Sequence, residues 1–349
     1  MNDKTIIRET STVNYKVCVR CATFNHASYI ATTLGGVCMQ QTDFPFVCVV
    51  IDDASHDGEQ EVIVRYFNDH FVVSETSETD AYRQMVGRHK ENPNCHFVVF
   101  LLKYNHYSKG EMPLKYSDPW RDQARYVAMC EGDDYWTDAN KLQRQVDTLD
   151  SNPKAMLVYT GFRVVDSEGK PLSKPLIESF PGRSHSGDNL PTLLRYGNYV
   201  MTLTTMYRNE VWHTDYYRQS PCKMDFSLTL SAALMGDFIW LPEQMGCYRS
   251  LQSGMIMSSL RKDVHWPQEI YRYYAGLVMT GQCKPLSYRQ RIRVTILILM
   301  RAIRRKDVAL KKEVLGYGYF AWPLLPVAYV NVKVERLKDR LKNRKEVKE

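Results

Sequence analysis

Two pairs of adjacent carboxylates in this chain, Asp52-Asp53 and Asp133-Asp134, each stand just beyond an apolar run. The first run is Phe46 to Ile51. The second is Tyr126 to Cys130, continued by Glu131-Gly132 and followed by Tyr135-Trp136. Short apolar runs of this kind read as buried strands. Acids at the carboxyl ends of such strands lie where open α/β sheets bind their ligands. A carboxylate there can accept hydrogen bonds from ribose hydroxyls or a base N–H. Hard oxygen ligands in the same place suit a divalent cation that also holds phosphate oxygens, and such a cation offsets charge on a departing diphosphate. Gly-Asp-Asp ahead of a helix is also ordinary turn and capping chemistry. The remainder of the chain has to choose between these readings.

The elements needed to position the acids are legible in order. Tyr15 to Cys21 reads as a first strand, running through the polar loop Ala22-Thr23-Phe24-Asn25-His26 into a helix from about Ala27 to Gln40. The strand Phe46 to Ile51 leads through Asp52 to Gly58 into a helix around Glu61 to Phe67. Residues 68–94 are polar and read as an elaborated surface connection, after which His96 to Leu102 is a strand. Beyond the second acidic pair, Lys141, Leu142, Gln145, Val146 and Leu149 follow helical spacing. Ala155 to Thr160 reads as a strand, Asp166 to Lys170 as a hairpin-like turn and Pro171 to Gly187 as a long loop. Asn198 to Tyr207 alternates as a strand, 225–235 is helical, and Phe238 to Leu241 and Met245 to Arg249 are two short strands. Strand, loop and helix repeated in this way predict a doubly wound, mostly parallel sheet.

The composition, 44% hydrophobic and 24% charged over 349 residues, is globular and sufficient for one large or two moderate domains. Nine scattered cysteines, many of them inside apolar runs and without the spacing of a zinc site, read as small core residues in a reducing compartment. The polar N-terminus lacks the apolar region of a signal peptide, so a cytoplasmic protein is expected. No G-x-G-x-x-G follows the first strand, and neither a P-loop nor a G-x-S-x-G elbow occurs. These omissions weigh against dinucleotide dehydrogenases, P-loop enzymes and hydrolases of the α/β type.

Three blocks in order, Thr23-Phe24-Asn25, Val49 to Gly58 and Glu131 to Trp136, resemble the inverting family 2 glycosyltransferases of GT-A fold. The resemblance covers residues of about 15 to 165 and extends more loosely to about 255. Lys141-Leu142-Gln143-x-Gln145 and Tyr159-Thr160 resemble the bacterial cell-surface polysaccharide branch of that family. The resemblance implies that Thr23, Phe24 and Asn25 line the nucleotide pocket and that Asp53 hydrogen-bonds the base. It implies further that Asp133 faces the ribose or donor sugar and that Asp134 ligates Mg²⁺ or Mn²⁺. Asp225, in Lys223-Met224-Asp225-Phe226, stands where the family places the base that deprotonates an acceptor hydroxyl. Three positions depart from the family pattern: Ala22 in place of Pro, Met224 in place of Glu, and Leu251 where many relatives have a metal- or diphosphate-holding His.

The expected organisation is a catalytic domain over 1–255 and a helical, basic region over 256–349. Leu315 to Val332 carries no charge but includes Tyr317, Phe320, Trp322 and Tyr329, and a basic tail follows. This pattern reads as a peripheral membrane contact, with a helical subdomain and solvated tail as the alternative. Acids interleaved in the tail and the lack of a recognition motif argue against nucleic acid. The expected partners are a nucleotide-sugar donor and a glycan or lipid-linked acceptor. Two rivals stand beside that reading. One is a sugar nucleotidyltransferase, for which Ala22 to Ala27 offers no Gly-rich basic loop; the other is a non-catalytic subunit that has kept the fold.

Overall fold

The computed structural model describes residues 14–172, 184–251, 266–283, 286–317 and 321–346, the last nine of these and residues 266–267 by backbone alone. Among these residues ten strands form one sheet: β1 (Val17–Thr23), β2 (Phe46–Asp52), β3 (Phe71–Glu78), β4 (Tyr82–His89), β5 (Cys95–Leu102), β6 (Tyr126–Met129), β7 (Tyr135–Trp136), β8 (Ala155–Val165), β9 (Thr205–Arg208) and β10 (Asp237–Arg249). Their order across the sheet is β3-β4-β5-β2-β1-β6-β9-β8-β10-β7. The helices among the described residues are α1 (Ile30–Cys38), α2 (Glu59–His70), α3 (Asp118–Arg121), α4 (Lys141–Ser151), α5 (Leu190–Tyr196), α6 (Asp215–Arg218) and α7 (Asp225–Met235), then α8 (Trp266–Thr280), α9 (Tyr288–Arg305), α10 (Val308–Gly316) and α11 (Leu324–Glu346).

At the centre, β5, β2, β1 and β6 are parallel neighbours. Parallel strands are covered on both faces, which is why they appear in the sequence as unbroken apolar runs. All seven residues of β2 are buried. One face is packed by Ile30, Leu34 and Val37 of α1, Ile63 and Phe67 of α2, and Leu142, Val146 and Leu149 of α4. Each such side chain contributes about 1.5–3 kcal/mol by leaving water. On the other face Val47, Val49 and Ile51 of β2 pack with Leu114, Trp120 and Ala124. There Leu193 of α5 and Leu228 and Leu230 of α7 pack beside Val127 of β6 and Leu157 of β8, in an apolar cluster that continues into Ile270, Tyr274, Ile298 and Val314 of the C-terminal helices. The domain boundary expected at 255/256 falls outside the described residues.

The fold is the expected GT-A type, a mostly parallel doubly wound sheet with a helical C-terminal region. Three local expectations are corrected. Residues 71–89 are an antiparallel hairpin that extends the sheet beyond β5. The Thr79 hydroxyl accepts from the amides of Ala81 and Tyr82 and closes its turn. Asn198 to Tyr207 is a strand only from Thr205, because the hydroxyls of Thr204 and Thr205 donate back to the carbonyls of Met201 and Thr202 and turn the chain. The two short strands expected between 238 and 249 are one, β10, with irregularities around Leu241 and Gln244 that accommodate Pro242.

Lys141 opens α4 and is fully buried. Its ammonium donates to Gln145 Oε1 at 2.6 Å and lies 4.2 Å from the centre of the Trp136 ring. Burial pushes its pKa down to about 7. An unfolded lysine keeps its proton up to about 10.5, so between these values the unfolded chain holds more protons and this residue makes stability climb with pH. Lys141→Met is expected to stabilise the protein at pH 7 by about 1–4 kcal/mol and to flatten that climb in thermal melts. A lower midpoint in the variant would show that the contact with Trp136 outweighs the cost of burial.

Candidate active site

The sheet brings three loops side by side, because β2, β1 and β6 are adjacent and parallel and their carboxyl ends align. Glu59, the first residue of α2, ties two of these loops together from beneath. Its buried carboxylate accepts from the Thr23 hydroxyl, from the His26 amide at 2.8 Å and from the Ser55 hydroxyl at 2.8 Å. Burial raises its pKa, and those three donors oppose the rise. Asn25 and Ala54 both sit in the left-handed region, with φ of 57° and 61°. Such geometry costs a non-glycine residue free energy, and it clusters at functional loops.

The third loop, 130–135, is fixed on all sides. A Cβ on Gly132 would stand 1.9 Å from the Thr23 hydroxyl, so only glycine allows the two strand ends to approach. The Thr33 hydroxyl of α1 donates into the carbonyls of Gly132 and Asp134, at 2.9 and 2.6 Å. From β10, the Arg249 amide donates to Asp134 Oδ1 at 2.9 Å, while its guanidinium donates to the carbonyls of Asp133, Ser167 and Asp166 at 2.9, 3.0 and 3.3 Å. The same guanidinium lies over the rings of Tyr29 and Tyr135.

Electrostatics follow from this crowding. Burial pushes Glu131 up to about 8, with Asp133 and Asp225 adding to the rise. Asp134 is held well above the ordinary carboxylate range by burial first and then by Asp133 and Glu131; the Arg249 amide and charge only partly compensate. Asp225 begins α7. Its carboxylate accepts from the Phe226 amide at 2.7 Å and from Asn198 Nδ2 at 3.1 Å, with the Thr202 hydroxyl at 3.5 Å. Burial raises its pKa and these donors draw it back.

The other residues singled out in the sequence divide into exposed and inward-facing. Phe24 is 39% exposed and meets the His56 ring edge-on at 5.8 Å. Asn25 accepts from the His56 amide through Oδ1 and donates its own amide to Ser55. Thr23 is buried, with its hydroxyl committed to Glu59. Asp53 is buried, and its two oxygens accept from the amides of His106 and Tyr107 at 2.7 and 3.0 Å, which leaves a carboxylate further lone pairs. Asp52 turns inward to Ser55 and Gln60. Asp133 points Oδ2 toward His26 Nε2 at 3.8 Å. Leu251, half-buried two residues beyond Arg249, offers no ligating atom. Sequence reasoning missed Glu59, whose one signal is its place directly after Asp57-Gly58, and the part Arg249 plays, for which no local signal exists.

Among the described residues no three His, Cys, Asp or Glu side chains converge as a closed metal cage. The donor set instead fits an open oxygen site. One or two carboxylates, short of compensating cations, suit Mg²⁺ or Mn²⁺ that takes its remaining oxygens from phosphate and water. Zinc, which prefers four nitrogen or sulfur ligands in structural sites, does not fit.

Comparison with models of known protein families finds no match. Uncharacterized proteins of Mycobacterium tuberculosis and Mycobacterium bovis are 28% identical over 232 residues, a match covering 66% of this chain and 58% of theirs. Among solved structures, TarS of S. aureus superposes with a TM-score of 0.53 and 17% identity over 82% of this chain and 43% of its own. The 1–349 fragment of TarS in complex with UDP gives 0.54 and 14% identity over 93% of this chain and 92% of the fragment. At these identities the likeness is one of fold.

Arg249→Lys keeps the charge but cannot span three carbonyls with one planar group. The expected loss of stability is about 2–4 kcal/mol in chemical denaturation. Unchanged stability would mean that the acidic loop is held without it.

Proposed function

We propose that the chain is an inverting, metal-assisted glycosyltransferase. It moves a sugar from a nucleotide-diphosphate donor to a hydroxyl of a glycan or lipid-linked acceptor in surface polysaccharide synthesis. The observation that carries this reading is geometric. The aligned ends of β2, β1 and β6 gather Asp53, the 23–25 loop and Asp133-Asp134. Asp225 is tied to the acidic loop through Thr202, 3.5 Å from its carboxylate, and Leu203, whose carbonyl accepts from Trp136 Nε1 at 2.9 Å. A base and a cation-seeking carboxylate pair then neighbour one another at the ends of parallel strands, where α/β sheets take nucleotides.

In this reading Phe24 and Asn25, supported from beneath by Thr23, flank the nucleotide base, and Asp53 accepts from it with the lone pairs that His106 and Tyr107 leave. Asp133 faces the ribose or the donor sugar. Asp134 holds the Mg²⁺ or Mn²⁺, which when bound offsets the charge of the departing diphosphate. Asp225 takes the proton of the acceptor hydroxyl as its oxygen bonds to the anomeric carbon. The bond from that carbon to the diphosphate oxygen breaks on the opposite face, and the nucleoside diphosphate leaves with the electron pair, so the anomeric centre inverts. The Asn198 amide orients the Asp225 carboxylate, and the raised pKa of that carboxyl suits a general base. Residues 1–255 form the catalytic unit and 256–349 its helical extension. Nine free cysteines agree with a cytoplasmic setting.

A second reading, a non-catalytic nucleotide- or glycan-binding subunit, draws on Leu251 and Met224, which remove two polar groups the family pattern carries. Calorimetry separates the readings. UDP-sugars come first, because a fragment of similar fold was solved with UDP, and GDP-, dTDP- and CMP-sugars follow, each with and without Mn²⁺. One donor is expected to bind with the metal and to be lost in Asp134→Ala. No binding of any donor under either condition would sink the transferase reading. With the donor identified, Asp225→Asn should retain donor binding and lose transfer by about 10²–10⁴-fold. In the wild type the acid limb of the rate profile should rise through a pKa above the ordinary aspartate value, since only the ionised base accepts the proton. An Asp225→Asn variant that transfers normally points to the non-catalytic role for that residue.

A further inference from the structure

The outward side of α11 is apolar where a surface helix normally carries polar residues. Val327, Val330, Val334 and Leu337 are 43, 58, 42 and 56% exposed, and their spacing of three, four and three residues puts them on one side of the helix. Trp322, 56% exposed, stands just before the helix, and Tyr329, 42% exposed, lies at its flank. The opposite side is docked. Ala328 and Val332 are buried in the apolar cluster with α9, and Glu335 pairs with Arg195 of α5 and Arg304 of α9. Between 321 and 337 the charged residues are Lys333, Glu335 and Arg336, so with Glu335 turned inward the exposed charges beside the stripe are cations only. In sequence the helix goes on through Lys338, Arg340, Lys342, Arg344 and Lys345 against Asp339 and Glu346.

We propose that this face of α11 docks the protein on an anionic lipid surface, the helix lying along the headgroups with its valines toward the acyl boundary. An apolar stripe flanked by lysine and arginine and bordered by tryptophan and tyrosine is the arrangement that partitions there. A second copy of the chain is the poorer occupant, because a two-fold pairing of this face brings cation against cation. Spanning is a different matter, since no helix among the described residues is long and apolar enough to cross a membrane. The structure also moves the contact from where the sequence suggested it. Tyr317 is half-buried, with its hydroxyl donating to Glu313, and Phe320 lies outside the described residues, so the stripe runs from Trp322 to Leu337 instead of from Leu315 to Val332.

The proposal is independent of the transferase reading, because vesicle binding and donor binding are separate measurements. The test is co-sedimentation of the full chain with vesicles of phosphatidylcholine alone and of phosphatidylcholine mixed with phosphatidylglycerol. The wild type should pellet with the mixed vesicles and be released by salt. Val330→Glu/Val334→Glu should weaken binding at least tenfold with an unchanged circular-dichroism melt. Lys333→Gln/Arg336→Gln, which leaves the apolar stripe intact, should lower affinity for the mixed vesicles severalfold and leave any binding to the neutral ones unchanged. The proposal is overturned if the wild type pellets with neither vesicle, if it binds both equally, or if neither pair of substitutions changes binding. It is also overturned if the wild type is a dimer that the glutamates make monomeric, which would assign the face to self-association.

Discussion

Glu131, Asp133 and Asp134 share one loop, where burial and the neighbouring acids push Glu131 and Asp134 toward the neutral form. A loop of like charges does not hold its shape unaided, and much of the nearby architecture serves to hold it. Thr33 reaches up from α1 to its carbonyls, Gly132 lets β1 close in from one side, and Arg249 clamps it from β10. The clamp is arranged so that the guanidinium spends its hydrogen bonds on carbonyl oxygens, while only its backbone amide meets the Asp134 carboxylate. The acids are therefore positioned without a carboxylate pairing to the guanidinium, which leaves those oxygens able to respond to a cation.

The parts of this arrangement that were legible in the sequence are the local ones. β2 and β6 are covered on both faces, so their runs are apolar throughout and the acids that end them stand out. The hairpin of β3 and β4 was not legible. Most of β3 faces water, and an edge strand of Ser, Thr and Glu has the composition of a loop. The segment before β9 alternates like a strand, yet its threonine hydroxyls bond to the backbone and curl it, a competition that hydrophobic pattern does not record. Glu59 and Arg249 were opaque for another reason. Apart from Ser55, four residues before Glu59, their partners lie about 30 to 120 residues away, and the only local mark is the place of Glu59 directly after Asp57-Gly58.

The C-terminal helices share one apolar cluster with α5 and α7, and that cluster ends close to the candidate base. Tyr274 of α8 donates to the carbonyl of Ser227, two residues past Asp225, and Arg301 of α9 lies against Gly197, the neighbour of Asn198. Packing of this kind lets a distant helix stiffen the backbone around Asp225 without touching its carboxylate. It also explains why α11 can show an apolar outer side without loosening the fold: its inner side, with Glu335 between two arginines, already secures it.

The central claim is that the acidic loop and Asp225 form one site that binds a nucleoside diphosphate through a divalent cation. Its most direct measurement is the magnetic coupling between Mn²⁺ and the phosphorus nuclei of bound nucleotide, by pulsed electron paramagnetic resonance with UDP as the first probe. The account predicts a phosphorus coupling in the wild type that persists in Asp225→Asn and disappears in Asp134→Asn. A coupling that survives loss of the Asp134 carboxylate, or nucleotide bound with Mn²⁺ remote from its phosphates, would contradict it.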